Sequence, residues 1–422
     1  MKNSFLKKTA LITLCLAVPA ALLVYQKVTS FTWHHKDQIA VSTSGTVISI
    51  CMATCSSGMS RYALAMHASL LKAGVRSILI CRENTFISHT AEKEKLPYIT
   101  CSSFRLSAGR FAWMPGIEAA LQGMLKRYAD VLAIHCNYKR DVFAAKKLAQ
   151  PLKIPVVLTH HMPDFLYTSV RDTANGVIAV SKSIADYLVS LNEKDGARCR
   201  IAAIPPFFDD RRIRAFIPPA QSRQDFFKTT FGVGLQPCPL LVKVAHLYAN
   251  INHKNHPLLF QAMHELIYKR GLPVQVALAG HGPRLDLYKK IVSDLQLTDY
   301  VHFLGNTDHV AAVLHYADIN VLASSGDAFP LVLLEGGFMR KPTLIARGGC
   351  GAADWLIIDK ETGFLFENKN MQDLADKIAY VLQHPDHAQR CGNQLHDKVI
   401  AEFLPEQVTQ QLLGFYRELQ QK

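Results

Sequence analysis

Two carboxylates separated by seven residues are the feature of this 422-residue sequence that most directly suggests chemistry. Asp327 precedes an Ala-Phe-Pro turn, and Glu335 lies about two turns into the helix predicted after it. The start of such a helix directs backbone N–H groups and the positive end of its dipole towards a ligand, which suits a diphosphate. Pro330 lacks an N–H and fits the first turn, so we expect neighbours such as Phe329 and Leu331 to donate.

A second candidate element is the loop after the first predicted strand of the main body, where Ser57 precedes Gly58. Glycine allows a close approach of the backbone to phosphates and sugar. His160 and His161 end another strand, VVLTHH, and His135 ends the strand YADVLAIH. These histidines are candidates for the edge of a cleft, with His135 the weaker one.

Alternating strands and helices must position these residues. From residue 46 the chain reads strand, glycine-containing loop, helix and strand, which predicts a parallel sheet covered on both faces. The pattern lapses near residues 205–225 and a second series follows. We predict an α/β protein of two Rossmann-like, doubly wound domains facing a central cleft. The predicted divisions are an anchor and linker at 1–37, domains at 38–215 and 216–400, and a last helix at 401–422 that packs towards the first domain.

The N-terminus combines Lys2, Lys7 and Lys8 with an apolar run, Thr9 to Tyr25. This pattern predicts an uncleaved hydrophobic anchor, and the net charge of +13 suits an anionic membrane surface. Charge bias alone would keep the lysines in the cytoplasm and send the body across the membrane. We nevertheless expect the body on the cytoplasmic face of a bacterial inner membrane, where cysteines stay reduced; an interfacial anchor bent at Pro19 reconciles the two.

Composition excludes several classes of protein. An apolar content of 49% with 19% charged residues indicates a folded globular chain. The ten cysteines contain no C-x-x-C pair or zinc-like spacing. The basic residues are scattered and carry no nucleic-acid motif. We therefore expect no cofactor and no nucleic-acid partner.

Several ordered segments over residues 45–420 resemble the retaining glycosyltransferase family 4, which has the GT-B fold (glycosyl transferases group 1). The segments, read from the sequence, are SSGMSRYALAMHASLLKAG, VIAVSKSIADYL, LAGHGPRLDLYKKIVSDLQLTDYVHFLG, SSGDAFPLVLLEGGFMRKPTLIARGGCGAADWLI and ETGFLFENKNMQDLADKIAYVLQ.

The resemblance implies a role for each candidate. Glu335 would bind the donor ribose, and Asp327 hydroxyls of the transferred sugar. His161, rather than His160, would contact the donor sugar near the reacting carbon. Lys254 would bind the diphosphate. Further donor-binding positions are Ser57, Gly58, His246, Gly280, Phe329 and Leu331.

Three positions depart from the family pattern. Asp327 stands where the family usually has Glu, and His246 where it usually has Arg. A neutral imidazole offers one donor in place of a guanidinium fork, although neighbouring phosphates could raise its pKa. Pro206-Phe207 replaces a usual Asn-Gly.

No metal site is expected. The sequence has no Asp-x-Asp motif beside the diphosphate site, and the adjacent pair Asp209-Asp210 reads as a surface feature. Lys254, helix N–H groups and His246 would replace the ion.

The resemblance implies a retaining, metal-independent transfer of sugar from a UDP- or GDP-sugar to a lipid- or glycan-linked acceptor, in the synthesis of envelope polysaccharide or lipopolysaccharide. Two alternatives stay open: a degenerate protein that binds a nucleotide sugar without turnover, and a nucleotide-sugar epimerase. A phosphorylase would need a pyridoxal-binding lysine motif, which the sequence lacks.

Overall fold

Two parallel sheets organise the part of the chain that the computed structural model describes. The described residues are 31–36, 44–54, 58–101, 103–105, 111–113, 115–161, 168–208, 210–218, 220–247 and 254–421.

The first sheet has eight strands: β1 (Phe31–His34), β2 (Thr46–Cys51), β3 (Arg76–Cys81), β4 (Tyr98–Cys101), β7 (Val131–Cys136), β8 (Val156–His160), β9 (Gly176–Ala179) and β10 (Arg200–Ala203). Their order is β1-β4-β3-β2-β7-β8-β9-β10, and all neighbours are parallel except β1 and β4. A separate antiparallel pair consists of β5 (Ser103–Arg105) and β6 (Phe111–Trp113).

Both faces of this sheet are buried, as a parallel sheet requires. On β2, Val47 packs into the apolar cluster beneath the C-terminal helix, whereas Ile48 packs into the larger cluster on the other face. The helices of this half are α1 (Gly58–Lys72), α2 (Phe86–Lys93), α3 (Pro115–Leu125), α4 (Val142–Ala149), α5 (Thr168–Thr173) and α6 (Lys182–Asp195).

The second sheet has six parallel strands: β11 (Leu240–Val244), β12 (Gln275–Ala279), β13 (Val301–Gly305), β14 (Ile319–Leu322), β15 (Thr343–Arg347) and β16 (Phe364–Glu367). They lie in the order β13-β12-β11-β14-β15-β16, so β11 is central. The chain enters this half through α7 (Arg211–Arg214) and α8 (Arg223–Phe231), and its further helices are α9 (His256–His264), α10 (Leu285–Asp294), α11 (Val310–Tyr316), α12 (Leu331–Phe338), α13 (Ala353–Leu356), α14 (Met371–Gln383) and α15 (Pro385–Glu402). The two sheets give the predicted α/β architecture of two doubly wound halves.

The last helix, α16 (Pro405–Gln420), returns to the first half and packs against α1 and β7. Lys72 of α1 forms a surface ion pair with Glu406 at 2.6 Å. Tyr416 is fully buried in the apolar cluster beneath β2. The chain therefore crosses between the halves twice, once before the first strand and once after the last strand of the second sheet.

The first sheet begins earlier than the sequence analysis expected. Strand β1 lies inside residues 1–37, the segment predicted as anchor and linker, and pairs with β4 from Phe31↔Cys101 to His34↔Tyr98. A four-residue antiparallel edge strand is too short to be recognised by periodicity. The predicted anchor itself, Thr9–Tyr25, lies outside the described residues. Among the residues that are described, no helix is long and apolar enough to cross a membrane.

Candidate active site

The ammonium group of Lys254 donates a hydrogen bond to the Oδ2 atom of Asp327. The two side chains keep about a fifth of their surface exposed, 20% and 18%. The sequence predicts that Lys254 binds the diphosphate and Asp327 the sugar. The two residues lie 73 positions apart in the chain. The fold thus brings the predicted cation and the first predicted acid into direct contact.

Backbone bonding holds Asp327 in place. Its N–H donates to the carbonyl of Gly349 at 3.0 Å, and its carbonyl accepts from the N–H of Gly351 at 2.9 Å. On the other side, Lys254 lies two residues before α9, next to Asn255 in the left-handed conformation with φ of 49°. Both residues lie in loops at the carboxyl ends of β11, β14 and β15, where ligands bind in open α/β sheets.

Lys243 is electrostatically coupled to this pair and is not among the candidates predicted from the sequence. It is the fourth residue of the central strand β11 and is only 2% exposed. Burial lowers the pKa of Lys243 to about 7; the charge of Lys254 lowers it further and that of Asp327 opposes the shift. The available signal was a single charged residue inside the apolar run PLLVKVAHL.

The helix α12 follows Asp327 and begins one residue later than expected. Pro330 is its N-cap, with φ of −71° and ψ of 118°, so Leu331 and Val332 carry the first helical N–H groups. The ring of Phe329 packs against Trp355 and Phe403. Glu335 is half-buried at the second turn. The helix start can therefore donate from Leu331 and Val332, and donation by the backbone N–H of Phe329 stays a prediction.

The turn that contains Gly280 lies close beside the segment that follows β11. A Cβ on Gly280, which has φ of +150°, would lie 2.0 Å from the carbonyl oxygen of Ala245. A Cβ on Gly282 would lie 2.2 Å from that of Leu247. These glycines allow residues 245–247 to run beside the end of β12, where the N–H of Ala245 donates to the carbonyl of Ala279 at 2.9 Å and the N–H of Leu247 to that of His281 at 3.1 Å.

His246 is exposed on this segment. Its pKa is lowered, by burial first and then by the charges of His281 and Lys254. Burial and the protein's own charges therefore favour the neutral imidazole, and a rise of the pKa of His246 beside bound phosphates stays a prediction. As a neutral group it offers one hydrogen bond and no fixed charge.

In the first domain, His161 follows β8 and packs edge-on against Tyr62 of α1, with ring centroids 4.6 Å apart. Its Nε2 atom is buried and has no hydrogen-bond partner among the described residues. Burial lowers the pKa of His161 to about 3, helped by His135 and His160, so the ring is neutral. His160 is 4% exposed, consistent with a side chain turned into the sheet.

His135 is part of a buried hydrogen-bond network. Its Nε2 atom lies 2.7 Å from Oγ1 of Thr159, and its Nδ1 atom 2.5 Å from the hydroxyl of Tyr416. Thr159 in turn lies 3.1 Å from the hydroxyl of Tyr62. The network connects the C-terminal helix to the residues behind His161, which assigns His135 a structural role.

The donor loop is described only in part. Gly58 is the exposed first residue of α1, and a Cβ there would meet nothing within 4 Å. Space alone therefore does not require glycine at this position. Ser57 and Asp209 lie outside the described residues. Asp210 forms an ion pair with Arg214.

The two domains touch where α6 of the first meets the second. A Cβ on Gly351 would lie 2.4 Å from the Oγ atom of Ser181, so only glycine fits this contact. The ammonium of Lys182 stacks over the ring of Trp355 at 5.3 Å. No group of three or more metal-ligating side chains occurs within the described ranges.

Two family profiles match consecutive parts of the chain. The profile described as "Glycosyltransferase Family 4" matches residues 56–212, and that described as "Glycosyl transferases group 1" matches residues 239–397. The first match covers β3 to β10 of the first sheet, and the second covers all six strands of the second sheet. The connection between the two sheets lies between the matches. The chain belongs to glycosyltransferase family 4.

Curated relatives of this glycosyltransferase share limited regions with it. N-acetyl-alpha-D-glucosaminyl L-malate synthase of Bacillus anthracis is 28% identical over 34% of this chain and 38% of the relative. Poly(ribitol-phosphate) alpha-N-acetylglucosaminyltransferase of Staphylococcus aureus is 25% identical over 41% of this chain and 35% of the relative. The chain therefore spans little more than a third of the length of these relatives.

Solved structures extend the similarity of this family 4 member to the whole fold. Anabaena Alr3699/HepE in complex with UDP superposes with a TM-score of 0.71, covering 88% of this chain and 100% of that one at 17% identity. The similarity confirms the GT-B fold.

Proposed function

We propose that this protein is a retaining, metal-independent glycosyltransferase that moves a sugar from a nucleotide-sugar donor to a glycan- or lipid-linked acceptor. The observation that carries the proposal is the contact of Lys254 with Asp327 at the carboxyl ends of β11 and β14. The contact brings a cation that suits a diphosphate next to a carboxylate that can accept hydrogen bonds from sugar hydroxyls, three residues before Pro330, the cap of α12.

The chemistry of these groups suits a leaving nucleoside diphosphate. Negative charge grows on the diphosphate as the glycosidic bond to the donor breaks. Lys254 and the N–H groups of Leu331 and Val332 stabilise that charge without a metal ion. Asp327 and Glu335 accept hydrogen bonds from the sugar and the ribose, which orients the donor. His161, neutral and without a partner on Nε2, can donate to or accept from the sugar.

Retention is supported by the curated relatives, two of which are named for α-linked products. An α product requires retention when the nucleotide sugar is itself α-configured. We propose attack by the acceptor on the face that the diphosphate leaves, with the diphosphate oxygen accepting the proton of the acceptor. This route needs no carboxylate nucleophile beside the anomeric carbon.

We propose a UDP-sugar as the first donor to test, because the related fold of Anabaena HepE has been solved with UDP and with UDP-glucose. We propose a bacterial envelope glycan or its lipid-linked precursor as the acceptor, in polysaccharide or lipopolysaccharide synthesis. The net charge of +13 favours a surface of anionic lipid or polymer. Work on the cytoplasmic face of the inner membrane would give the protein access to nucleotide sugars.

The test incubates purified protein with a panel of UDP- and GDP-sugars and measures release of nucleoside diphosphate, with and without membrane extract. We expect one of the donors to release nucleoside diphosphate, and we expect this release to increase when extract is added. Donor binding without release would favour the alternative of an inactive binder. Conversion of the donor to an isomer without extract would favour an epimerase.

A further inference from the structure

Lys243 is an unusual residue for the centre of a parallel sheet. Strand β11 has β12 on one side and β14 on the other, and its other residues are apolar. Leu241, two residues earlier and on the same face, is fully buried in the core of the second domain. A residue at this position is normally apolar as well, so the ammonium group needs an explanation.

The surroundings of Lys243 do not neutralise it. Among the described residues, no carboxylate lies within ion-pair distance of its Nζ atom; the acid that acts on it electrostatically, Asp327, is paired with Lys254. Another titratable neighbour is His256, the first residue of α9, whose buried Nδ1 atom has no hydrogen-bond partner in the part of the chain that the structure describes. Burial, Lys243 and Lys254 together lower the pKa of His256 to about 2, so this ring is neutral.

Two lysines and one carboxylate therefore interact at the carboxyl ends of the neighbouring strands β11 and β14. A lysine kept only for stability would be expected to have a partner, because a buried, unpaired ammonium destabilises a fold. An apolar residue of similar length would fill the same space without that cost. The arrangement makes sense if an anion completes it.

We propose that Lys243 supplies a second positive charge for the donor diphosphate, beside that of Lys254, at a site where His246 stands in place of the arginine that is usual in the family. This inference rests on the proposed function, since it names the anion that the site takes. Lys254 would contact the diphosphate from the loop, and Lys243 would act on it from the strand below.

The proposal implies a proton transfer on binding. With a pKa of about 7, much of the Lys243 population is neutral in mildly alkaline solution. A diphosphate brings at least two negative charges next to Nζ and favours the ammonium form. A proton then passes from buffer to Nζ as the nucleotide binds, and no covalent bond changes. Lys254, Asp327 and His256 are the titratable groups coupled to Lys243, and of these Lys254 is hydrogen-bonded to Asp327.

The experiment measures binding of UDP and of GDP to the full chain by calorimetry, in buffers of different ionisation enthalpy. At roughly pH 8 the terminal phosphate has already lost its second proton, whose pKa is about 6. Any proton taken up on binding must therefore be bound by the protein and not by the nucleotide. We expect the parent protein to take up as much as one proton per nucleotide bound. Lys243→Met should abolish the uptake and weaken nucleotide binding by about 10- to 100-fold, the range expected for one charge-assisted contact.

Lys290→Met is the matched control, because Lys290 is exposed on α10 and pairs only with Asp294. It removes the same charge from the same domain and should leave binding and uptake unchanged. The thermal midpoint of Lys243→Met should be at least as high as that of the parent, which separates lost binding from lost folding.

Two results would overturn the inference: parental affinity in Lys243→Met, or binding of UDP or GDP by the parent without proton uptake. If the parent binds neither nucleotide, the proposed function fails with it. If the parent binds and Lys243→Met binds equally, only the role of Lys243 is wrong.

Discussion

Lys254 holds the carboxylate of Asp327, so the cation and the acid predicted for a single donor are bonded to each other. The pair sets up a competition. A diphosphate attracts Lys254 and is repelled by Asp327, whereas the hydroxyls of a sugar donate to Asp327. The two residues should therefore respond differently to a nucleoside diphosphate and to a complete nucleotide sugar.

Asp327→Asn separates these roles with little change of shape. We expect turnover to fall by about tenfold or more, because a hydrogen bond to a charged group contributes about 1.5–3 kcal/mol. Affinity for UDP should stay the same or improve, because a negative charge is removed and Lys254 is released. Calorimetry with UDP and initial rates with the donor test both statements. A joint loss of UDP affinity and stability would instead make Asp327 a structural residue.

The predicted contact of Glu335 with the donor ribose is tested by removing each partner in turn. Glu335→Ala should weaken donor binding by about 1–3 kcal/mol, the cost of leaving polar partners unmatched. The penalty should shrink when the ligand is 2′-deoxy-UDP, because the hydrogen bond to the hydroxyl is then already absent. Glu402→Ala, on the exposed end of α15, is the control and should bind both ligands as the parent does. An equal penalty for both ligands argues against a contact between Glu335 and the 2′-hydroxyl.

Tyr416→Phe tests the connection between the C-terminal helix and the first domain. Removing the hydroxyl leaves Nδ1 of the buried His135 without its 2.5 Å partner. We expect the free energy of unfolding to fall by about 1–3 kcal/mol, measured by urea denaturation. Tyr187→Phe, at a site 41% exposed, should change it by less than about 0.5 kcal/mol. Parental stability in Tyr416→Phe would mean that the hydroxyl contributes nothing net.

The effect of removing metal ions shows whether the charge of the leaving diphosphate is stabilised by the protein or by a bound ion. We expect the rate of sugar transfer to survive excess EDTA, because Lys254, the N–H groups of α12 and Lys243 stand where a cation would act. Complete loss of activity that manganese or magnesium restores would show that the protein charges are insufficient.

Two truncations test the N-terminal segment. A chain that begins at residue 30 lacks the apolar run Thr9–Tyr25 and should leave the membrane fraction while keeping UDP affinity. A chain that begins at residue 38 also lacks β1 and uncovers the edge of β4, including the stacking of His34 on Tyr98 at 4.3 Å. We expect it to unfold at lower denaturant concentration than the longer one. Equal stability of the two would mean that β1 adds little to the sheet.

The side of the membrane is a separate prediction. If the body lies in the cytoplasm, protease added to intact spheroplasts should leave it whole and should digest it after lysis. Digestion in intact spheroplasts would move the acceptor to an exported compartment.

The sequence by itself determined the α/β class and named the central candidates, whose roles stay predictions. Strand and helix periods are local, and the segment from Asp327 to Glu335 carries its own turn, helix start and acids within nine residues. The glycines at 280 and 282 are likewise visible as a motif. Only the fold shows their close approach to the backbone of residues 245 and 247, and the donor contact of Gly280 stays a prediction.

Only the tertiary structure decided which side chains meet. Lys243 becomes a candidate because it is buried on a central strand beside a carboxylate already paired with Lys254, and burial follows from strand order rather than residue type. His135 changes from a candidate ligand to a structural residue because its partner Tyr416 lies 281 positions away. The physical reason is the same in both cases: charge and hydrogen-bond partners depend on distances in space, and chain spacing sets those distances only within one element.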